Sequence, residues 1–134
     1  MATVTPTNDG NIAGDGSVAM FTWTPLTTTN ADGSAVELIP WADRCVQVTG
    51  TFGAGGTVVI EGSNDNSTWA TLYHAQGSAA SFTAAGVRQI VETPRYVRPR
   101  VTAGDGTTSL TVSMTLRRGH PRPTRSMRQP GPQP

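Results

Sequence analysis

Between Val46 and Leu72 the chain reads VQVTGTFGAGGTVVIEGSNDNSTWATL, which is apolar alternation, a glycine run, apolar alternation again and a polar turn. Side chains along a strand alternate between faces, so Val46, Val48 and Phe52 fall on or near one face, and Val58 and Ile60 resume the same period. The intervening Gly53-Ala54-Gly55-Gly56 run permits backbone that a Cβ would forbid, and the arrangement predicts a β-hairpin. Ser63-Asn64-Asp65-Asn66-Ser67 offers side chains that hydrogen-bond their own backbone, after which Trp69 and Leu72 return the chain to a core. The stretch predicts a scaffold, so function is expected on surfaces and termini.

The rest of the chain continues in the same idiom. Ser17 to Thr24 predicts a strand with Ala19, Phe21 and Trp23 on one face, closed by Pro25. A short strand follows over Ala35 to Ile39, ended by Pro40, with Trp41 capping the edge of the core. Ala70 to His74 and Val87 to Glu92 read as further strands. In Pro94 to Val101 the prolines predict an edge strand, because proline cannot donate to a central ladder. From Ser109, Leu110, Val112, Met114 and Leu116 alternate strictly with Thr and Ser, the signature of a sheet with one dry face. A length of 134 residues suits one domain. The predicted fold is all-β, an antiparallel β-sandwich of jelly-roll or related Greek-key type with about eight strands. Residues 1–16 lack periodicity and read as an extended arm, 17–116 form the sandwich, and 117–134 form an Arg/Pro-rich extended tail.

Charge is distributed unevenly. All ten basic residues are arginine, and Arg117, Arg118, Arg122, Arg125 and Arg128 lie in the last eighteen positions, with no acid among them. The preceding residues hold five arginines against nine acids, so body and tail carry opposite sign. A second cluster, Arg95, Arg98 and Arg100, lies in the expected edge strand. Arg98 and Arg100 should project to one side, where guanidinium forks can grip a partner's carboxylates. The tail's arginines attract either an acidic protein surface or phosphate. The tail has no interleaved aromatics for base stacking, and anchoring on an acidic protein surface explains it at least as well.

The inventory for catalysis is thin: two histidines, no lysine, one cysteine and scattered carboxylates, with no hydrolase or metalloprotease motif. The Asp-Gly pairs lack the spacing of a calcium loop and read as turns. The Gly53–Gly56 run lacks the lysine and helix of a phosphate loop. His74 and His120 are isolated. Cys45, with Val46 and Val48 as neighbours, reads as a small buried filler. Asn66-Ser67-Thr68 matches a glycosylation acceptor but accompanies no secretion signal, and no apolar run approaches the ~20 residues of a membrane span. Neither enzyme activity nor a cofactor or metal is expected, and the chain is expected to be made in a cytoplasm.

The segments GTFGAGGTVVIEGSNDNSTWATL and PRYVRPRVTAGDGTTSLTVSMTLRR together resemble small β-proteins encoded in the head-gene region of tailed bacteriophages, the capsid cement or decoration proteins. The likeness covers about residues 44–118 and rests on the turn Gly62 to Trp69, the strand Arg95 to Pro99 and the final alternating strand. It implies a jelly-roll protein on the capsid exterior of a virion. Such a protein is often a homotrimer, and it bridges major capsid protein subunits without membrane or nucleic acid. The Asn64 to Trp69 element is also similar to part of sugar-binding discoidin-type domains. An alternative is therefore a carbohydrate-binding module in which the Asn64 to Trp69 loop and an exposed Trp23 or Trp41 stack on sugar rings. A tail or baseplate adaptor of a phage particle is a further alternative.

Overall fold

The computed structural model describes residues 3–9 and 16–118. In chain order the strands are β1 (Thr3–Val4), β2 (Thr7–Asp9), β3 (Val18–Leu26), β4 (Asp32–Gly33), β5 (Val36–Glu37) and β6 (Trp41–Thr51). They continue with β7 (Thr57–Ser63), β8 (Ala70–Thr71), β9 (Ser81–Phe82), β10 (Gly86–Ile90), β11 (Tyr96–Ala103) and β12 (Ser109–Arg118). The first sheet runs β1-β4-β11-β7-β8, with β5 also on β11 and β9 also on β7; the second runs β10-β6-β12-β3-β2. All pairings are antiparallel except that of β1 with β4.

The predicted all-β sandwich is therefore the fold, and its strand order is that of a jelly roll. The short pieces β4 and β5 share one side of β11, and β8 and β9 share one side of β7, so each pair fills a single position. From β3 onward the chain then visits eight positions. It crosses between sheets at every step except the passage from β7 to β8 and β9, which wraps two Greek keys around one core. The two remaining strands come from the N-terminal segment. Residues 3–4 and 7–9, expected in a free arm, are extended as anticipated but pair with β4 and β3 of the body.

The core follows from period-two patterning. On β12, Leu110, Val112, Met114 and Leu116 are all fully buried, as are Val46 and Val48 on β6, Val58 and Ile60 on β7, and Trp23 on β3. Three expectations change. The glycine run does not close a hairpin: β6 pairs with β10 and β12 and β7 with β11, so Gly53 to Gly56 carry the chain across the sandwich from one sheet to the other. Alternation is the same whether two strands lie side by side or face to face, so periodicity alone does not separate the two. At Gly53 the backbone is left-handed, and a Cβ there would lie 2.2 Å from Asp105 Oδ1.

The strand β3 does not stop at Pro25 but runs through it to Leu26, because the register with β12 shifts between Leu110 and Val112 and no ladder bond is required of the proline. Third, β11 is not an edge strand but lies between β7 and the β4/β5 position. Val101 N–H donates to Ala31 O on the β4 side, so by alternation the bond Pro99 cannot make faces that side too. There the break between β4 and β5 asks for no donor.

The ring of Pro99 lies over Gly33. A Cβ built on Gly33 would sit 2.7 Å from Pro99 Cδ and 2.7 Å from Trp23 Cδ1. Gly33→Ala is expected to lower stability by about 1–3 kcal/mol, the usual cost of overpacking, read from the denaturant midpoint.

Candidate docking surface

The outer face of the first sheet carries a lattice of charge. Register places Arg98 of β11 beside Glu61 of β7 and Arg100 beside Asp32 of β4. Arg98 Nε donates to Glu61 Oε1 at 3.0 Å, while Arg100 lies 3.4 Å from Asp32 and 3.6 Å from the other oxygen of Glu61. Glu61 is thus a buried carboxylate bridging two arginines. The Arg98 guanidinium also covers the ring of Trp69, 4.2 Å from its centroid. Arg95, just before β11, donates to Glu37 of β5 and lies over Tyr96; the Glu37 carboxylate raises its pKa further above the usual value.

Arg98 and Arg100 do project to one side, as anticipated, but each guanidinium is engaged by a carboxylate of its own chain. No spacing in the chain reveals cross-strand register, so Glu61, Asp32 and Glu37 are not legible in the sequence as their partners. The half-exposed Arg95 and Arg100 remain reachable from solvent at this face.

A second concentration of arginine lies at one pole. Strand β12 ends where β6 and β3 begin, with Arg118 in register with Trp41 and Arg117 with Asp43 and Val18. Arg118 lies over the Trp41 ring at 5.2 Å and donates from Nε to Gly16 O at 2.9 Å. Beside it opens a cleft of about 520 Å³ lined by Ile39, Trp41, Arg44, Asn64, Pro94 and Arg95, among others, with Ile39 at its rim 67 % exposed. Arg44, only 2 % exposed, closes the inner end of this pole. Its Nε and Nη2 donate to the carbonyls of Leu38 and Trp41 at 3.1–3.3 Å, which ties down the turn between β5 and β6. No partner reaches its Nη1 among the described residues, and burial lowers its pKa to about 10, leaving it charged at neutral pH. Arg44 is not among the sequence-predicted site residues, although its even-numbered place with Val46 and Val48 puts it on the inner face. The same parity corrects Cys45, which is exposed on the outer face of β6 rather than buried. Arg122, Arg125 and Arg128 lie outside the described residues.

Two carboxylates hold the loops. Asp65 accepts from Ser63 Oγ, Ser67 N and Thr68 N, and Asp105 accepts from Ala54 N and from the amide and hydroxyl of Thr107, joining the β6–β7 and β11–β12 connections. These hydrogen bonds to the charged form lower both pKa values to about 2. A depressed folded-state pKa stabilises the fold above the ordinary value near ~4, and that contribution disappears as pH falls through about 2. Urea midpoints are expected to be flat above about pH 5 and to decline between about pH 4 and 2, and to decline less in Asp65→Asn and Asp105→Asn.

The tryptophans bear on sugar stacking. Trp23 is fully buried, with Nε1 donating to Ser34 O at 2.9 Å, so it cannot meet a ligand. The Trp41 and Trp69 rings are covered by Arg118 and Arg98. Among the described residues no cluster of three His, Cys, Asp or Glu side chains is placed to hold a metal. No family model, no curated protein and no solved structure matches the chain.

Proposed function

We propose that this chain is a non-enzymatic structural protein of a phage virion. It binds the outside of the capsid and stabilises it by bridging major capsid protein subunits. The observation that carries the reading is the convergence at one pole. The last strand ends in Arg117 and Arg118 beside Trp41, next to a cleft with exposed Ile39 at its rim and Arg95 in its wall, and the other tail arginines follow in sequence. A jelly roll tied by internal ion pairs supplies a rigid body, and the pole, with the arginines that follow it in sequence, offers positive charge to an acidic partner. Many copies on a symmetric shell make a weak contact durable.

Deletion of residues 119–134 tests this, since β12 is complete at Arg118 and the far-UV spectrum of the body should not change. The shortened chain is expected to bind capsids at least about tenfold more weakly, and full-length binding is expected to weaken as salt rises. Equal retention of both forms on capsids through a salt series would remove the tail from the account.

A further inference from the structure

We propose that the outer face of the second sheet is a self-association surface on which a second copy of this chain docks about a two-fold axis. The face stands apart from the rest of the molecule in its lack of charge. Register places Val87, Gln47, Ser113, Thr22 and Thr7 in one row across all five strands, and none is ionisable. The next row holds Gln89, Cys45, Thr115 and Met20 and meets Asp9 in register on the outermost strand. On the two central strands, β6 and β12, the first outward charges are Asp43 and Arg117, which face one another at the pole. The first sheet is the opposite, its outer face occupied by Asp32, Glu37, Glu61, Arg98 and Arg100.

Between its pole and its outermost strand this face has no charge to attract an acidic or basic partner and none to repel its own copy. Val87, 49 % exposed, and Met20 add apolar contact toward its two margins, and the hydroxyls and amides of the central strands can donate and accept across a two-fold. The five strands contribute 5, 11, 10, 9 and 3 residues. At about 16 Å² of sheet per residue the whole face covers about 600 Å² and its uncharged part about 500 Å², so a pair buries about 1,000–1,200 Å², the lower end for a specific contact. A single face that meets itself closes as a pair, whereas a ring of three needs two different patches per copy. The inference thus departs from the three-fold association that the cement-protein resemblance implies. It does not rest on the capsid reading, because it is tested on the free protein.

Sedimentation velocity of the full chain over a micromolar concentration series, with thiol labelling of Cys45 as the second readout, decides the matter. The expected result is a monomer–dimer equilibrium in which Cys45, the sole cysteine, reacts more slowly as dimer forms. Gln47→Glu is expected to weaken the dimer at least about tenfold by setting like charges across the axis, with the thermal unfolding midpoint unchanged because Gln47 is exposed. A chain that stays monomeric, a trimer, or a dimer whose Cys45 reacts as fast as in the monomer overturns the proposal. So does a dimer indifferent to Gln47→Glu.

Discussion

Trp23→Ala is expected to cost about 3–5 kcal/mol, a large part of the ~5–15 kcal/mol that holds a domain folded. Trp23 is the largest fully buried side chain. Its position explains the size of the effect: it stands on the inner face of β3 in the second sheet, while its indole N–H donates to Ser34 O in the link between β4 and β5 of the first. Removing it opens a cavity between the sheets and cuts a bond that crosses them. Trp23→Phe keeps most of the bulk and leaves the Ser34 carbonyl without its donor, for which a loss of about 1–3 kcal/mol is expected. Denaturant titration of the three proteins checks the order. An alanine variant within about 1 kcal/mol of the parent would show that the core is not closed around this residue.

The second large effect is expected at Glu61. Its carboxylate is buried and serves both Arg98 and Arg100, so Glu61→Ala strands a guanidinium that has only Trp69 left against it. The usual cost of breaking a buried pair is about 3–5 kcal/mol. Arg98 keeps some solvent contact and Arg100 keeps Asp32, so a loss of about 2–3 kcal/mol is expected here. Removing both partners should hurt less than the two single changes added together, because Arg98→Met in the Glu61→Ala background no longer leaves an uncompensated charge. A double-mutant cycle measures that coupling directly. Additive single effects would mean that the pair is no more than a solvated surface contact.

The inward faces of the strands were legible in the sequence, and the lateral neighbours were not. Leu110, Val112, Met114 and Leu116 announce β12 by strict alternation, and the same rule places Val46, Val48, Val58 and Ile60 in the core. Alternation states which way a side chain points, not which strand lies alongside. For that reason the glycine run at 53–56 reads equally well as a hairpin and as the crossing that it is. Pro99 misled in a similar way. Proline is barred from a ladder only where a donor is needed, and the break between β4 and β5 removes that need. Cys45 was legible by parity, since its neighbours Arg44 and Val46 point inward, but its apolar character outweighed the pattern. Of the candidate site, the arginines themselves were visible. Their partners Glu61, Asp32 and Glu37 depend on register across strands 30 or more positions apart, which no local pattern encodes.

Engaged arginines on the first sheet and tail-bearing arginines at the pole have different expected roles. The former stiffen the body, because their charge is already matched. The latter follow a strand that ends at the surface, and a partner reached through them also meets the cleft beside Trp41. A capsid contact made through the pole therefore predicts sensitivity to Ile39→Asp and to loss of the tail, with little response to Arg98→Met beyond its effect on stability.

A density map of the assembled phage particle tests the central claim most directly. The account predicts jelly-roll density on the outer surface of the capsid, with the Trp41–Arg118 pole toward the shell and the chain beyond Arg118 continuing onto a neighbouring capsid subunit. Particles without this polypeptide, or with the pole turned outward to solvent, would contradict it.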